Sequence, residues 1–411
     1  MKEELLVLRP ACAQAREGER LSQVLCYALR DCKYREISQV EEFLALMKSV
    51  SEAETKAAAG EATGEQEHIA SDRRGVAPRL RLLFAVSIGD LGMNLEYFRW
   101  LEALRENQGL LEGCVAGVIV DGNGELYTKS TGRQLILAAN GCGCAFPGRP
   151  FAEGTGSLRN FHVQAKNSST DVLKAYCEEV RRLVGRVLAF PHPPASGSFS
   201  EGDSVSASPA VCAGAQTKAP QLLVLHASRA KTSNTYQLWQ LAREAAEKSR
   251  VGIQEISLRN GTIQDCGACP YTTCLHFGES GSCFYGGPMV EQVYPALRSC
   301  DGLLLLCPNY NDALSANLTA VINRMTALYR QLPFFDKQLF ALIVSGYSGS
   351  DILAGQLVSA LNMNKAFRLP SRFAVMETAN DPGSAMELPD IRKRMAEFGR
   401  HIAAVLKGEE L

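Results

Sequence analysis

Net charge, long apolar runs and histidine are all scarce in this sequence of 411 residues. Forty-three basic residues against 44 acidic ones leave a formal net charge of −1. Neither a nucleic-acid backbone nor an anionic membrane surface would meet a matching field. Unbroken apolar stretches are short runs such as residues 303–307, LLLLC, far short of the about 20 residues that cross a bilayer as a helix. The opening residues, MKEELLVLRP, carry two early acids and no extended apolar region, which speaks against a secretory leader. The expectation is a soluble, cytoplasmic protein. Histidines number only six, and no Ser-His-Asp arrangement is apparent. Cysteine, by contrast, is plentiful: 14 residues, which in a reducing compartment read as buried thiols or metal and cluster ligands rather than disulfides.

The length allows two domains with full cores, and an internal repeat indicates how they divide. LLVL occurs at residues 5–8 and again at 222–225, and a leucine follows at equal distance in each copy, Leu21 and Leu238. Both copies then pass through a helical pattern to the tripeptide EIS, at 36–38 and 255–257. Third apolar strands follow at 81–88 and 302–307, and fourth ones at 115–120 and 339–344, each running into a glycine-containing turn. The stretch FPGR at 146–149 mirrors LPSR at 369–372, and both lead to a threonine, Thr155 and Thr378. An amphipathic helix closes each half, at 170–189 and 388–407. Apolar strands alternating with helices, twice over, predict an α/β protein of two tandem flavodoxin-like, doubly wound domains with five-stranded parallel sheets. The expected boundaries are 1–190 and 219–411. Between them, residues 191–218 are rich in Pro, Ser, Gly and Ala and read as a flexible linker; residues 51–78 read as a disordered or partly helical insertion.

One stretch, 222–240, carries the strongest functional signal: a buried strand, a polar loop, then a helix start. Unsatisfied N–H groups and the helix dipole make that place an anion site. Ser228, Arg229, Lys231, Thr232, Ser233, Asn234 and Thr235 supply further donors. The plain alternative is that residues 233–235 only cap the helix. The sister copy is a control, since a gapless match puts Ala11, Ala15, Arg16, Glu17 and Gly18 where Ser228, Thr232, Ser233, Asn234 and Thr235 stand. The first half is therefore expected not to bind a phosphate in this way. Two more loops of the second half converge on the same crevice: Pro308, Asn309, Tyr310 and Asn311, and then Ser345, Gly346, Tyr347 and Gly349. Together they suit a planar phosphorylated ligand, with Tyr310 and Tyr347 available to stack, although tyrosines also occur on ligand-free surface loops. His226, beside the first loop, reads as positional rather than catalytic.

Residues 219–405 resemble the NAD(P)H-dependent FMN reductase family, and within it the iron–sulfur flavoproteins. The family's GSPRxxSNT loop corresponds to residues 227–235, ASRAKTSNT. Its PVYxxxxSAxLKxFIDR segment corresponds to Pro308, Tyr310, Ser315, Ala316, Leu318, Ile322 and Arg324. Ala227 in place of the opening glycine, the displaced Arg229 and Thr319 in place of lysine depart from the pattern. The resemblance implies FMN, with its phosphate on the first loop and its ring between the other two. It also implies NAD(P)H as hydride donor, with electrons leaving to a small acceptor, a second flavin or an iron–sulfur cluster. No side-chain acid or base is needed at the hydride step. Competing readings are a non-enzymatic electron carrier or redox sensor, and an interaction module with a decayed flavin site. Reductases of this kind pair as dimers, so the tandem chain suggests an intramolecular pseudo-dimer, with a homodimer or two barely touching domains as the alternatives.

Cys266, Cys269, Cys274 and Cys283 follow a C-x2-C-x4-C-x8-C spacing. Four such thiolates suit a [4Fe–4S] cluster or a structural zinc, and otherwise stand as reactive thiols without metal. The iron–sulfur flavoproteins carry a cysteine motif at this position with tighter spacing. Cys142 and Cys144 read as neighbouring buried thiols, and Cys300 and Cys307 as core.

Overall fold

The protein is described by a computed structural model covering residues 4–12, 18–58, 79–193, 219–229, 232–259 and 261–408, with the backbone alone for 51–58. Residues 59–78, residues 194–218 of the expected linker, and Lys231 lie outside the described residues. The first half runs β1 (Leu5–Leu8), α1 (Glu19–Leu29), β2 (Tyr34–Ile37), α2 (Val40–Ala58), β3 (Arg81–Ile88), α3 (Leu95–Glu106), β4 (Val115–Gly122), α4 (Thr128–Gly141), β5 (Phe151–Gly154), α5 (His162–Asn167) and α6 (Val172–Ala189). The second runs β6 (Gln221–His226), α7 (Asn234–Lys248), β7 (Gly252–Ser257), α8 (Tyr271–Glu279), α9 (Tyr294–Ser299), β8 (Gly302–Pro308), α10 (Ala316–Tyr329), β9 (Gln338–Ser345), α11 (Ser350–Leu357), β10 (Ala374–Thr378) and α12 (Ile391–Lys407). No helix among the described residues is long and apolar enough to cross a membrane.

Each half builds one five-stranded, wholly parallel sheet, ordered β2-β1-β3-β4-β5 and β7-β6-β8-β9-β10. The first strand sits inside each sheet, flanked by the second and third, which is the doubly wound order expected from the repeat. Helices cover both faces, so the central strands are buried on both sides and read as continuous apolar runs rather than alternating ones. All of β3 and β4 is buried, as is β8 up to its last residue. Leu21 and Leu238, the matched leucines of the repeat, are both fully buried against their sheets. The helical part of the 51–78 insertion is the end of α2, which runs on to Ala58.

The halves share a core. One cluster of buried residues runs from Leu82, Trp100, Leu135 and Phe146 of the first half into Leu303, Leu357, Phe367 and Leu369 of the second. At its centre the two mirrored tetrapeptides meet: Phe146 and Leu369 pair antiparallel, with N–H···O distances of 2.9 and 3.0 Å. Two buried asparagines tie the crossing from opposite sides. Asn140, near the end of α4, donates to the carbonyls of Cys144 (2.9 Å) and Pro370 (2.7 Å). Asn362, on the π-turn after α11, donates to those of Phe367 (2.7 Å) and Pro147 (3.0 Å). The Arg372 N–H reaches the carbonyl of Asn140 at 3.2 Å, and the Arg149 N–H that of Asn362 at 3.0 Å. Each bond is answered by its repeat equivalent, the reciprocity of an isologous two-fold contact. Gly148 allows the close approach, since a Cβ there would stand 2.0 Å from the carbonyl oxygen of Ala366. The symmetry breaks at one bond. The Phe373 N–H donates to the Asn140 side-chain oxygen at 3.0 Å, but the matching residue in the first half is Pro150, which has no N–H, and the Asn362 side-chain oxygen is buried without a partner among the described residues.

A carboxylate network fixes the start of α7 against the sheet. Glu255 of β7 accepts from Tyr236 (2.9 Å), Trp239 (3.1 Å) and Arg243 (3.3 Å), and lies 3.2 Å from the His226 Nε2. His226 is therefore a positioning residue at the end of β6. The hydrogen bond from His226, with those from Trp239 and Tyr236, holds the Glu255 carboxyl down at about 2 against the opposing effect of burial.

Two outcomes follow from these contacts. Asn140→Ala orphans two carbonyls and one N–H in a buried site and is expected to cost about 3 kcal/mol, read as a lowered urea midpoint. Asn362→Ala is expected to cost less, because one of its polar atoms is already unpartnered. Because the folded value of Glu255 lies below its unfolded one, its contribution is complete above about pH 4.5 and fades as the pH falls toward 2. Glu255→Gln should flatten the acid limb of a stability-against-pH curve between those values.

Candidate functional site

Three loops leave the carboxyl ends of β6, β8 and β9 side by side and enclose a cleft of about 1150 Å³. Every described residue lining it belongs to the second half. The first wall is the loop into α7. Ser233 caps that helix, its hydroxyl accepting from the Tyr236 N–H at 3.3 Å, so the plain capping role is filled by one hydroxyl. Arg229, Thr232, Asn234 and Thr235 line the cleft beside it. The Asn234 amide is engaged elsewhere: it donates to the carbonyls of Ala379 (3.2 Å) and Asp381 (2.9 Å) and accepts from the Gly383 N–H at 2.8 Å. It thereby draws the loop after β10 over the helix start. Ser228 is buried, and its hydroxyl has no hydrogen-bond partner among the described residues.

The second and third walls are fastened together by Asn309. Its amide donates to the Asp312 carboxylate (3.1 Å), the Ser345 hydroxyl (3.2 Å) and the Ser348 carbonyl (3.0 Å), and its oxygen accepts from the Asp312 N–H at 2.8 Å. Gly349, at φ +91°, makes this possible: a Cβ there would fall 2.1 Å from Asp312 and 2.8 Å from the Asn309 amide. Asn311 and Asp312 both take left-handed backbone conformations (φ 53° and 57°), which asparagine and aspartate tolerate better than most residues. Pro308, Asn309, Tyr310, Asn311, Gly346 and Tyr347 line the cleft, and the two tyrosines stand well out into solvent. Ser345 does not line it; that side chain is fully buried and bonds Ser350 at 2.7 Å. Gly349 likewise serves by its conformation rather than by contact.

Sequence reading did not single out Arg259, just past β7, nor Ala379, Asn380 and Pro382 after β10, all of which line the cleft. The strand order carried a signal for the first, since β7 lies next to β6 and its end must border the phosphate-type loop. The 379–382 loop arrives only through the Asn234 bonds, which no spacing in the sequence encodes. Arg229 and Arg259 give the cleft two guanidinium groups with no carboxylate partner among the described residues. Such a pair suits an anionic, phosphate-bearing ligand.

The corresponding crevice of the first half is chemically different. Arg20, on α1, places its guanidinium against the buried Asp121 carboxylate at the end of β4 (Nε–Oδ1 2.8 Å) and donates to the carbonyls of Gly122 (2.8 Å) and Gly156 (3.1 Å). By strand register Asp121 matches Val344, which lines the cleft of the second half. An internal ion pair thus occupies the strand ends where the other half is open. Of the matched first-loop positions, Ala15, Arg16 and Glu17 lie outside the described residues, and Gly18 caps α1 without a side-chain bond.

The cysteine expectation needs correction. Among the described residues no group of three or more His, Cys, Asp or Glu side chains is placed to hold a metal ion, so Cys266, Cys269, Cys274 and Cys283 form no ready ligand set for a [4Fe–4S] cluster or zinc. The reason is local. Cys274 is carried by α8, Cys266 and Cys269 precede that helix, and Cys283 follows it. The Tyr285 phenol packs on Gly267 and is bonded to Cys269, and its pKa is raised first by Cys269 and then by burial, with Cys266 and Cys283 adding to it. Tyr285 thus lies against the loop that carries Cys266 and Cys269. The other thiols behave as read. Burial pushes Cys142 and Cys300 up to about 11, and Cys144 and Cys307 well above the ordinary thiol range.

Residues 220–381 match the family described as NADPH-dependent FMN reductase. No curated protein sequence matches the chain. Among solved structures, RosB with bound 8-demethyl-8-formylriboflavin-5′-phosphate is similar at 13% identity and a TM-score of 0.38, over 46% of this chain and 80% of that one. An FMN-dependent NADH-azoreductase from Bacillus anthracis in complex with FMN is similar at 12% identity and a TM-score of 0.33, over 45% and 99%. An NAD(P)H:quinone oxidoreductase from Methanothermobacter marburgensis is similar at 15% identity and a TM-score of 0.34, over 45% and 98%. The family match thus falls wholly within the second half, the half whose three loops enclose the cleft.

Proposed function

We propose that the chain is an NAD(P)H-dependent flavin oxidoreductase whose second half, residues 219–411, binds FMN and passes electrons from a reduced nicotinamide to a small-molecule acceptor. The observation that carries this reading is that the first-loop, second-loop and third-loop residues enclose one cleft, within the segment matched by the family. FMN supplies two-electron acceptance from a hydride donor and onward transfer of those electrons.

The protein's own part is binding and orientation. Arg229, Thr232, Ser233 and the first N–H groups of α7 are the phosphate donors, with Arg259 on the adjoining strand end and the unpartnered Ser228 hydroxyl held close by. Tyr310 and Tyr347 offer ring faces to a planar group. The Asn309 clamp keeps the second and third loops at a fixed separation, so the slot between them is formed before a ligand arrives.

The first half, with its Arg20–Asp121 pair in place of an open crevice, is read as a silent copy that fills the position of a dimer partner. The reciprocal Asn140 and Asn362 bonds support an intramolecular pseudo-dimer over two loosely tethered domains.

Purified protein is expected to hold FMN, and its flavin absorbance should bleach in the absence of air on addition of NADPH; a flavin that binds but stays oxidised would instead mark an electron carrier. Arg229→Ala should weaken FMN binding about 10- to 100-fold through loss of a charge-assisted hydrogen bond, measured by flavin fluorescence titration. Gly349→Ala should also lower flavin affinity, by driving Asp312 and Asn309 apart, while the far-UV dichroism stays unchanged.

A further inference from the structure

The first half has closed its crevice, yet the two loops around it are not plain surface. Leu91 and Met93, on the loop after β3, are 78% and 58% exposed, and Leu95 and Phe98 follow on the first turns of α3 at 74% and 44%. Leu126 and Tyr127, on the loop after β4, are 66% and 50% exposed. These six side chains form one patch, because the loops touch: a Cβ at Gly92 would meet the Tyr127 side chain at 2.5 Å. The patch is held in shape. Gly92 and Gly89 close the first loop through backbone bonds of 2.9 Å to Gly89 and 3.2 Å from Gly89 to Met93. Tyr127 holds its ring outward from a left-handed backbone, φ 75°, a conformation that bulky residues adopt only when their surroundings impose it.

We propose that this patch is the surface through which two copies of the chain pair. At about 200 Å² for a large apolar side chain, the six expose roughly 700 Å², more than an ordinary monomer leaves in one place and close to the about 800 Å² each partner contributes to a stable interface. The exposed charges beside it carry both signs, Asp90 and Glu125 with Arg99, Arg105 and Lys129; Arg99 also pairs with Glu96 and Lys129 with Glu153 inside the chain. A rim of mixed sign does not repel its own copy, as a rim of one sign would. The pseudo-two-fold surface around Asn140 and Asn362 is already consumed within the chain, so pairing between chains needs a different face. Among the described residues this surface shares none with the flavin cleft, whose lining comes from the second half.

The test is sedimentation velocity of the full-length protein over about 1–100 µM. The wild type is expected to sediment as a dimer in this range, and Leu91→Asp with Leu126→Asp should raise the dissociation constant at least about 100-fold. Flavin content and the melting temperature should stay unchanged. Met93→Glu with Tyr127→Ser is a second route to the same loss should the first pair misfold. Val163→Asp, at another exposed apolar residue outside the patch, should leave the dimer intact. A wild type that stays monomeric at every concentration overturns the proposal and assigns the patch to a different partner. A dimer that survives both patch variants with wild-type affinity overturns it as well, by placing the contact elsewhere.

Discussion

The antiparallel pairing of Phe146 with Leu369, tied on each side by a buried asparagine, is the constraint on which the arrangement of this protein rests. Two parallel sheets with helices on both faces are each self-sufficient as layers, and nothing in that architecture requires one to touch the other. Here the crossing merges their cores, so apolar residues of both halves are buried against one another. A buried asparagine is expensive unless its amide is matched bond for bond. Asn140 meets that condition completely, and Asn362 misses it by one oxygen because Pro150 lacks an N–H. That defect fits two copies free to diverge after joining in one chain, where a true homodimer would have had to keep both sides alike.

The same divergence separates the two crevices. The second half keeps an open cleft with two guanidinium groups, a capped helix start and a pair of loops locked by Asn309. The first half folds into the same strand order but turns an arginine inward onto Asp121 at the matching strand ends. One topology thus carries an open cleft in one half and a sealed crevice in the other, a difference made by the loops and not by the sheet.

The fold was legible because parallel strands buried on both faces leave a continuous apolar signature that needs no tertiary knowledge to see, and the repeat doubled it. Arg81–Ile88 forms the strand its composition announces, residue for residue. FPGR and LPSR were visible as a match in the sequence, but their meeting face to face was not, since a repeat gives similarity and no distance. Most of the cleft was legible for a related reason: the first, second and third loops must lie together once the strand order is known. The cysteine spacing misled because spacing along the chain does not say how the sulfurs are placed in space, and helix α8 stands between Cys266 and Cys269 on one side and Cys283 on the other.

The sequence by itself determined the two five-stranded sheets, the place of the first loop and the loss of its hydroxyl donors in the sister copy, because these depend on local hydrophobic pattern and residue type. Tertiary structure alone decided that the halves share one core, that Arg259 and the 379–382 loop join the cleft, that Asn234 ties that loop to the start of α7, and that Tyr285 lies against Cys269. Each of those depends on contacts between residues far apart in the chain, where the balance of burial and hydrogen bonding is settled only once the backbone has closed around them.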